Sequence, residues 1–134
     1  MNVLMVGVDK NRVGGMWTVA ETYINDRDYN TAVNMKYIAT STCGSKIKRT
    51  AIMLIGYIKI VMTLMFGKID IIHIHMAERG STFRKGVVVS IGKVFKKTVV
   101  VQLHAGPFID WYLGVSSQSQ KHIKRILNKA DKIL

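Results

Sequence analysis

Short apolar runs alternate along this chain with stretches of helical periodicity, and this alternation most constrains the fold. The apolar runs have the length of buried strands, and apolar residues recur at three- and four-residue intervals between them. The predicted strands are 2–8, 30–40, 70–77 and 98–105, the predicted helices are 16–26, 45–66, 80–97 and 116–132, and the final KIL has the character of a nascent fifth strand. Such βαβα alternation predicts an α/β fold, a doubly wound parallel sheet with helices on both faces.

The length of 134 residues suits one domain, so we predict a single domain over 1–134. Cys43 is the only cysteine, which excludes an internal disulfide and fits a reducing, cytoplasmic compartment. The opening residues 1–12 lack the basic and small-residue signals of a secretory leader and are predicted to form the first strand. The longest apolar run, 51–66, is interrupted by Lys59 and is shorter than the ~20 residues of a spanning helix.

Basic residues exceed acidic ones by 20 to 8, which gives a net charge of +12. Sixteen of the 20 lie from Lys46 onward. An excess of this size predicts an anionic partner, which could be a nucleic acid, an acidic membrane surface or a phosphorylated substrate.

The loops after the predicted strands carry the candidate site, because ligands bind at the carboxyl ends of strands in sheets of this kind. Gly14 and Gly15 follow the first strand and directly precede a helix, which suits close approach of a phosphate. His73 and His75 alternate on one side of the third strand. We expect His73 to be satisfied within the sheet and His75, nearer the strand end, to contact a substrate. No third ligand has a supporting spacing, so no metal site is predicted.

The stretch ERGSTFRK, residues 78–85, adds three cations in a loop and the first turn of a helix. Arg79 and Arg84 offer planar forks for a phosphate and Lys85 offers a point charge, so these three are candidate substrate contacts. The helix itself is favoured over a strand because its apolar residues share one face, and Ser81 or Thr82 is the expected N-cap.

The stretch VVVQLHAGPF, residues 99–108, ends a buried strand with a titratable group. His104 could donate a hydrogen bond to a developing negative charge or accept a proton, and we predict it as the catalytic residue. Gly106 is a further substrate-binding candidate, and with Pro107 it is expected to turn the chain away from the sheet edge.

These three motifs, the GG loop, HIHxAERGSxxRK and QLHAG, together resemble the N-terminal half of family 4 glycosyltransferases. Those are retaining enzymes of the GT-B fold, in which two Rossmann-like domains face a cleft. The resemblance spans essentially the whole chain and is closest to bacterial and archaeal members that build cell-surface polysaccharides and glycolipids.

The resemblance implies a role for each candidate. Gly14 and Gly15 would approach the donor phosphates, and His104 would lie beside the transferred sugar. The cations of 78–85 would lie near a saccharide or lipid-linked acceptor. The donor would be a nucleotide sugar, and neither a metal nor another cofactor is expected.

The chain departs from the family because the donor-binding domain with its paired glutamates is absent. It also stops about two residues into the fifth predicted strand. We therefore expect an incomplete first domain of a GT-B fold, a fragment that transfers no sugar by itself and works with the missing C-terminal domain.

Two helices suit the inner face of an anionic membrane. The apolar helix 46–66 is punctuated by lysine, and helix 116–132 carries a positive stripe. We predict a peripheral membrane contact through this stripe, which comprises Lys121, Lys124, Arg125, Lys129 and Lys132.

Two alternatives remain open. A charge of +12 also suits a nucleic-acid-binding module, although the sequence has no recognised DNA-binding motif or aromatic stacking platform. Another Rossmann-like nucleotide-binding domain would have the same alternation, although GxGxxG and an acidic residue after the second strand are missing.

Overall fold

The computed structural model describes residues 1–12, 14–104, 106 and 108–134. Within these residues, strands and helices alternate as the sequence predicts. In chain order they are β1 (Asn2–Gly7), α1 (Gly15–Asn25), α2 (Arg27–Ala32), β2 (Asn34–Ala39), α3 (Lys46–Phe66), β3 (Ile71–Met76), α4 (Gly80–Val94), β4 (Thr98–Leu103), α5 (Phe108–Gly114), α6 (Ser117–Asn128) and β5 (Lys132–Ile133).

The five strands form one open sheet in which every neighbouring pair is parallel, in the order β2-β1-β3-β4-β5. The register pairs Met5 with His73 and His73 with Val100. The direction of winding reverses between β1 and β3, so the gap beyond their carboxyl ends is the topological switch point. The predicted α/β, Rossmann-like doubly wound fold is confirmed.

Each face of the sheet packs against its own helices, because successive strand side chains point to opposite faces. On one face, Ile72 and Val101 pack with Ile60 of α3, Val88 of α4 and Ile126 of α6 in one buried cluster. On the other face, the ring of Tyr23 from α1 meets the ring of His73 edge-on at 5.6 Å. The histidines of β3 therefore lie on the face that α1 covers.

The predicted helix 45–66 matches α3, whereas several other predicted bounds differ, including that of helix 80–97, which ends at Val94. Ser45 caps α3 and Gly67 ends it. Residues 30–32, predicted as strand, belong to α2, because the Asp26 carboxylate accepts from the backbone N–H of Tyr29 and starts a helix there. The stretch after β4, predicted as a loop, contains α5, and the sixth helix ends at Asn128 rather than at residue 132.

The N-cap of α4 is Arg79, so the expected cap by Ser81 or Thr82 is wrong. Both hydroxyls instead bond back to the preceding loop: Ser81 accepts from the N–H of Ala77 and Thr82 donates to its carbonyl. Arg79 has φ 59° and ψ −133°, a conformation that residues with a Cβ rarely adopt.

Gly56 lets α3 lie directly against the end of β2. A Cβ at this position would stand 2.7 Å from the carbonyl oxygen of Ala39 and 2.9 Å from Cγ2 of Thr40. A pocket described below opens between the end of β2 and the N-terminal part of α3.

Candidate functional site

Three loops meet in one cleft at the carboxyl edge of the sheet, beside the switch point. Its volume is about 520 Å³, and its walls come from the loops after β1, β3 and β4. The cleft is lined by Val8, Arg12, Gly14, Gly15, Met16, Ala77, Glu78, His104 and Gly106. Of the residues predicted from the sequence, the structure thus brings together Gly14, Gly15, His104 and Gly106.

Gly14 and Gly15 line the cleft at the point where α1 begins. Gly14 has φ 149°, which favours glycine, and a Cβ on either Gly14 or Gly15 would meet no atom within 4 Å. Within the described residues no side chain caps α1, so none of these side chains accepts from the N–H groups of its first turn. These N–H groups lie at the positive end of the helix dipole, which is suited to a negatively charged group in the cleft.

His104 is bound to His75 inside the cleft wall. Nδ1 of His75 lies 3.0 Å from Nε2 of His104, and the two rings are stacked with centroids 5.2 Å apart. The backbone N–H of His104 donates to the carbonyl of Met76 at 2.8 Å, which continues the β3–β4 pairing by one residue. His104 is therefore held by both its side chain and its backbone.

Both histidines are kept neutral by burial. Burial, followed by the repulsion between a protonated His75 and protonated forms of His73, His104 and Lys85, lowers the pKa of His75 to about 3, and burial also lowers the pKa of His104. Nε2 of His75 is buried and has no hydrogen-bond partner within the described residues. A bare nitrogen costs less there than an unpaired N–H, so the favoured tautomer has His75 Nδ1–H donating to His104 Nε2.

His73 is satisfied within the sheet, as predicted. Its Nε2 lies 3.0 Å from Oε1 of Gln102, and its ring stacks on His75 with centroids 4.8 Å apart. The three histidines thus form a continuous stack along the sheet. In the described part of the chain, no group of three or more His, Cys, Asp or Glu side chains is arranged to hold a metal ion.

The three cations of 78–85 do not line this cleft. Arg79 is exposed at the start of α4, and Arg84 lines a different pocket. His75, although bound to His104, is fully buried and does not line the cleft either.

The prediction that Lys85 contacts a substrate is wrong, because this side chain is only 2% exposed and cannot present its charge to a ligand. The turn of α4 points residue 85 toward the sheet with Ser81 and Val88, which are also buried. Its Nζ donates to the carbonyl of Gly7 at 2.8 Å and to Oγ1 of Thr40 at 2.5 Å. Lys85 therefore joins α4 to the ends of β1 and β2.

The environment of Lys85 contains positive charges and no bonded carboxylate. Burial, followed by the charges of Arg84 and Arg12, lowers the pKa of Lys85 to about 7. Among the described residues its ammonium is bonded only to neutral oxygens, so the protein bears a buried charge that it can lose near neutral pH.

A second pocket, of about 360 Å³, opens between the end of β2, the first turns of α3 and the side of α4. It is lined by Thr40, Ser41, Lys46, Arg49, Thr50, Met53 and Arg84. Arg12 lies between the two sites: it lines the cleft, and its Nη1 donates to Oγ of Ser41 at 2.7 Å.

Four charged residues were not predicted as site residues from the sequence: Arg12 and Glu78 in the cleft, and Lys46 and Arg49 in the second pocket. The loop sequence DKNRVGG contains Arg12, so its place before the glycine pair was an available signal. No comparable signal exists for Lys46 and Arg49, because only packing of α3 on β2 brings them to Arg84.

The five basic residues of the predicted membrane stripe on and after α6 are all exposed, and none lines the cleft. The predicted turn at Pro107 lies outside the described residues, as do Val13 and Ala105 of the other loop motifs.

No family model, curated protein or solved structure matches this chain. The resemblance to family 4 glycosyltransferases therefore stays a prediction.

Proposed function

We propose that this chain is the acceptor-side domain of a retaining glycosyltransferase, which moves a sugar from a nucleotide sugar to a polysaccharide or lipid-linked acceptor. One observation carries the proposal: the cleft at the switch point unites the Gly14–Gly15 loop, the open start of α1 and His104. These are a candidate phosphate contact and a candidate sugar contact in one cavity.

The chemistry of the walls suits the two parts of a nucleotide sugar. Backbone N–H groups at the start of α1, together with Arg12, can balance the charge of a diphosphate. Burial lowers the pKa of His104, which favours its neutral form, and its Nδ1 has no hydrogen-bond partner within the described residues. A neutral imidazole can exchange hydrogen bonds with sugar hydroxyls.

A glycosyltransferase of this type also needs a donor-binding domain that closes the cleft. The cleft is formed by loops of a single sheet edge, so a second domain facing that edge would supply the opposite wall. In this proposal the nucleotide sugar is the substrate, and the chain uses no other cofactor.

We also propose that the protein works on the cytoplasmic face of an anionic membrane. The outer face of α3, away from the sheet, is apolar and exposed; its exposed large side chains are Ile47, Leu54, Ile55, Ile58, Met62, Met65 and Phe66. By length and composition, α3 is long and apolar enough to cross a membrane, and its most apolar window of 18 residues has a mean hydropathy of 1.6. It nevertheless buries Gly56, Ile60 and Leu64 against the fold, which favours a helix lying on the membrane surface.

The proposed function is tested by titrating nucleotide sugars into the isotopically labelled chain and monitoring its amide chemical shifts. Uridine and guanosine diphosphate sugars are expected to shift the amides of Gly14, Gly15 and Gly106. NAD and a DNA duplex serve as the comparison ligands for the two alternative functions. If only NAD shifts the amides of the cleft, the glycosyltransferase proposal is rejected in favour of another Rossmann-like nucleotide-binding domain. If only DNA produces shifts, along α6, it is rejected in favour of a nucleic-acid-binding module.

A further inference from the structure

The pocket between β2, α3 and α4 collects positive charge without a compensating acid. Lys46 and Arg49 come from the first turn of α3, Arg84 comes from the second turn of α4, and none of the seven lining residues is acidic. In the described part of the chain the one ion pair joins Lys93 and Asp131, outside this pocket. The carboxylate of Asp9, which follows β1, accepts from the backbone and side chain of Asn11 instead.

Further positive charges lie close behind the residues that line this pocket. The pKa of Arg84 is lowered by burial and then by the charges of Arg12 and Arg49, so these guanidinium groups act on one another. Lys85 bonds to Oγ1 of Thr40, whose side chain forms part of the pocket wall. Like charges gathered this closely destabilise the free protein, and an anion between them would relieve the repulsion.

Hydroxyl groups complete the set of donors. Ser41 is buried, and its Oγ accepts from Arg12, which leaves its own hydrogen for another acceptor. Thr50 lines the same wall one turn into α3. Three cations and at least two hydroxyls around about 360 Å³ match a small anion with several acceptor oxygens.

We propose that this pocket binds the phosphate group of a phosphate ester. A phosphomonoester carries a charge of about −1.5 to −2 at neutral pH and has three strong acceptor oxygens. A nucleic acid strand is a poorer match, because it needs an extended track with aromatic stacking surfaces and the one large apolar side chain in this pocket is Met53.

The phosphate could belong to a soluble ester or to a lipid headgroup. The apolar outer face of α3 begins beside the pocket at Ile47, which would suit the hydrocarbon of a lipid phosphate. The site does not depend on sugar transfer, since its residues are separate from the nine that line the cleft.

The experiment measures phosphate binding by the full chain and matched variants, using inorganic phosphate and glycerol 3-phosphate as soluble probes. Dissociation constants come from amide shifts at Ser41 and Thr50. Arg49→Gln and Arg84→Gln are each expected to weaken binding about tenfold, the loss of one charge-assisted contact. Lys59→Gln removes the same charge about 15 Å further along α3 and is expected to leave binding unchanged.

Vesicles of phosphatidylcholine with and without phosphatidate give the lipid arm. Arg49-dependent binding of the soluble probes identifies a soluble ester, and Arg49-dependent binding confined to phosphatidate vesicles identifies a headgroup; both support the site. The proposal is overturned if neither the soluble probes nor the phosphatidate vesicles bind the wild type better than Arg49→Gln, or if Lys59→Gln loses as much binding as Arg49→Gln. His104→Ala should retain phosphate binding, which separates this site from the proposed function.

Discussion

His75 on β3 and His104 after β4 are joined by a 3.0 Å contact between Nδ1 and Nε2. One ring is fully buried and the other lines the cleft, so the contact links the sheet interior to the candidate site. His75 is therefore a positioning residue, which holds the orientation of the His104 ring and reserves one of its nitrogens.

The stability of the fold should depend on His75 at acid pH. Its pKa of about 3 in the folded chain lies below the ordinary value of 6.5, so below about pH 6.5 the unfolded chain binds a proton that folded His75 does not. The free energy of unfolding should therefore fall as the pH drops toward 3, by up to about 1.4 kcal/mol per pH unit for this group. His75→Phe should show a shallower fall in urea denaturation from neutral to acid pH, and equal slopes would contradict the assignment.

Lys85 should make the stability of the fold depend on pH in the neutral to alkaline range. Its pKa of about 7 in the folded chain lies below the ordinary value of 10.5, so above about pH 7 the unfolded chain holds a proton that the folded chain has released. Burial of the charge lowers stability at and below neutral pH, and this cost is relieved as the pH rises toward 10.5.

Lys85→Met keeps an unbranched side chain, shorter by one atom, and removes the charge. Wild-type stability should therefore rise relative to Lys85→Met between about pH 7 and pH 9, by up to about 1.4 kcal/mol per pH unit. Guanidinium chloride denaturation at both pH values measures the difference. A constant difference would show that the ammonium is not buried as described.

Arg79 stores backbone strain at the start of α4. Its φ of 59° with ψ of −133° suits glycine, and such strain costs on the order of 1–3 kcal/mol in residues with a Cβ. Arg79→Gly should relieve it, whereas Arg79→Ala removes the same charge and keeps the strain. After the entropic cost of glycine, we expect Arg79→Gly to be about 1 kcal/mol more stable than Arg79→Ala in thermal unfolding. Equal stabilities would mean that the strain is absent.

The outer face of α3 predicts membrane affinity that needs both apolar contact and anionic lipid. Ile58→Asn and Met62→Asn should each weaken partition onto anionic vesicles about tenfold, since a large apolar side chain contributes about 1.5–3 kcal/mol on burial. Leu113→Asn changes an exposed apolar residue on α5 and is the matched control. Flotation assays measure the binding to vesicles. The membrane contact is rejected if binding does not depend on the anionic lipid content, or if Ile58→Asn and Met62→Asn weaken binding no more than Leu113→Asn does.

The alternation of elements was predictable because it depends on local periodicity. Valine-rich β4 and isoleucine-rich β3 have the composition of buried strands, and Ser45 and Gly67 mark the ends of α3. The start of α2 was missed because one side-chain bond from Asp26 decides it.

Placement of single side chains was less predictable, because it depends on helix rotation and packing. Arg84 and Lys85 are neighbours in the sequence, yet one reaches a pocket and the other is buried under the sheet edge. His104 was found because a polar residue directly after a buried parallel strand must emerge at the carboxyl edge. The partner of Arg84 in the second pocket, Arg49, is 35 positions away and is brought near only by the fold.

The most direct test of the account is whether His104 recognises the sugar of a nucleotide sugar. Calorimetric titration of the wild type, His104→Ala and the exposed control His122→Ala would compare each nucleoside diphosphate with its sugar-bearing form. We predict that the wild type and His122→Ala bind the sugar-bearing form more tightly. His104→Ala should lose that increment and keep its affinity for the diphosphate. An increment that survives in His104→Ala, or a wild type that does not distinguish the two ligands, would contradict the assignment of this cleft to sugar transfer.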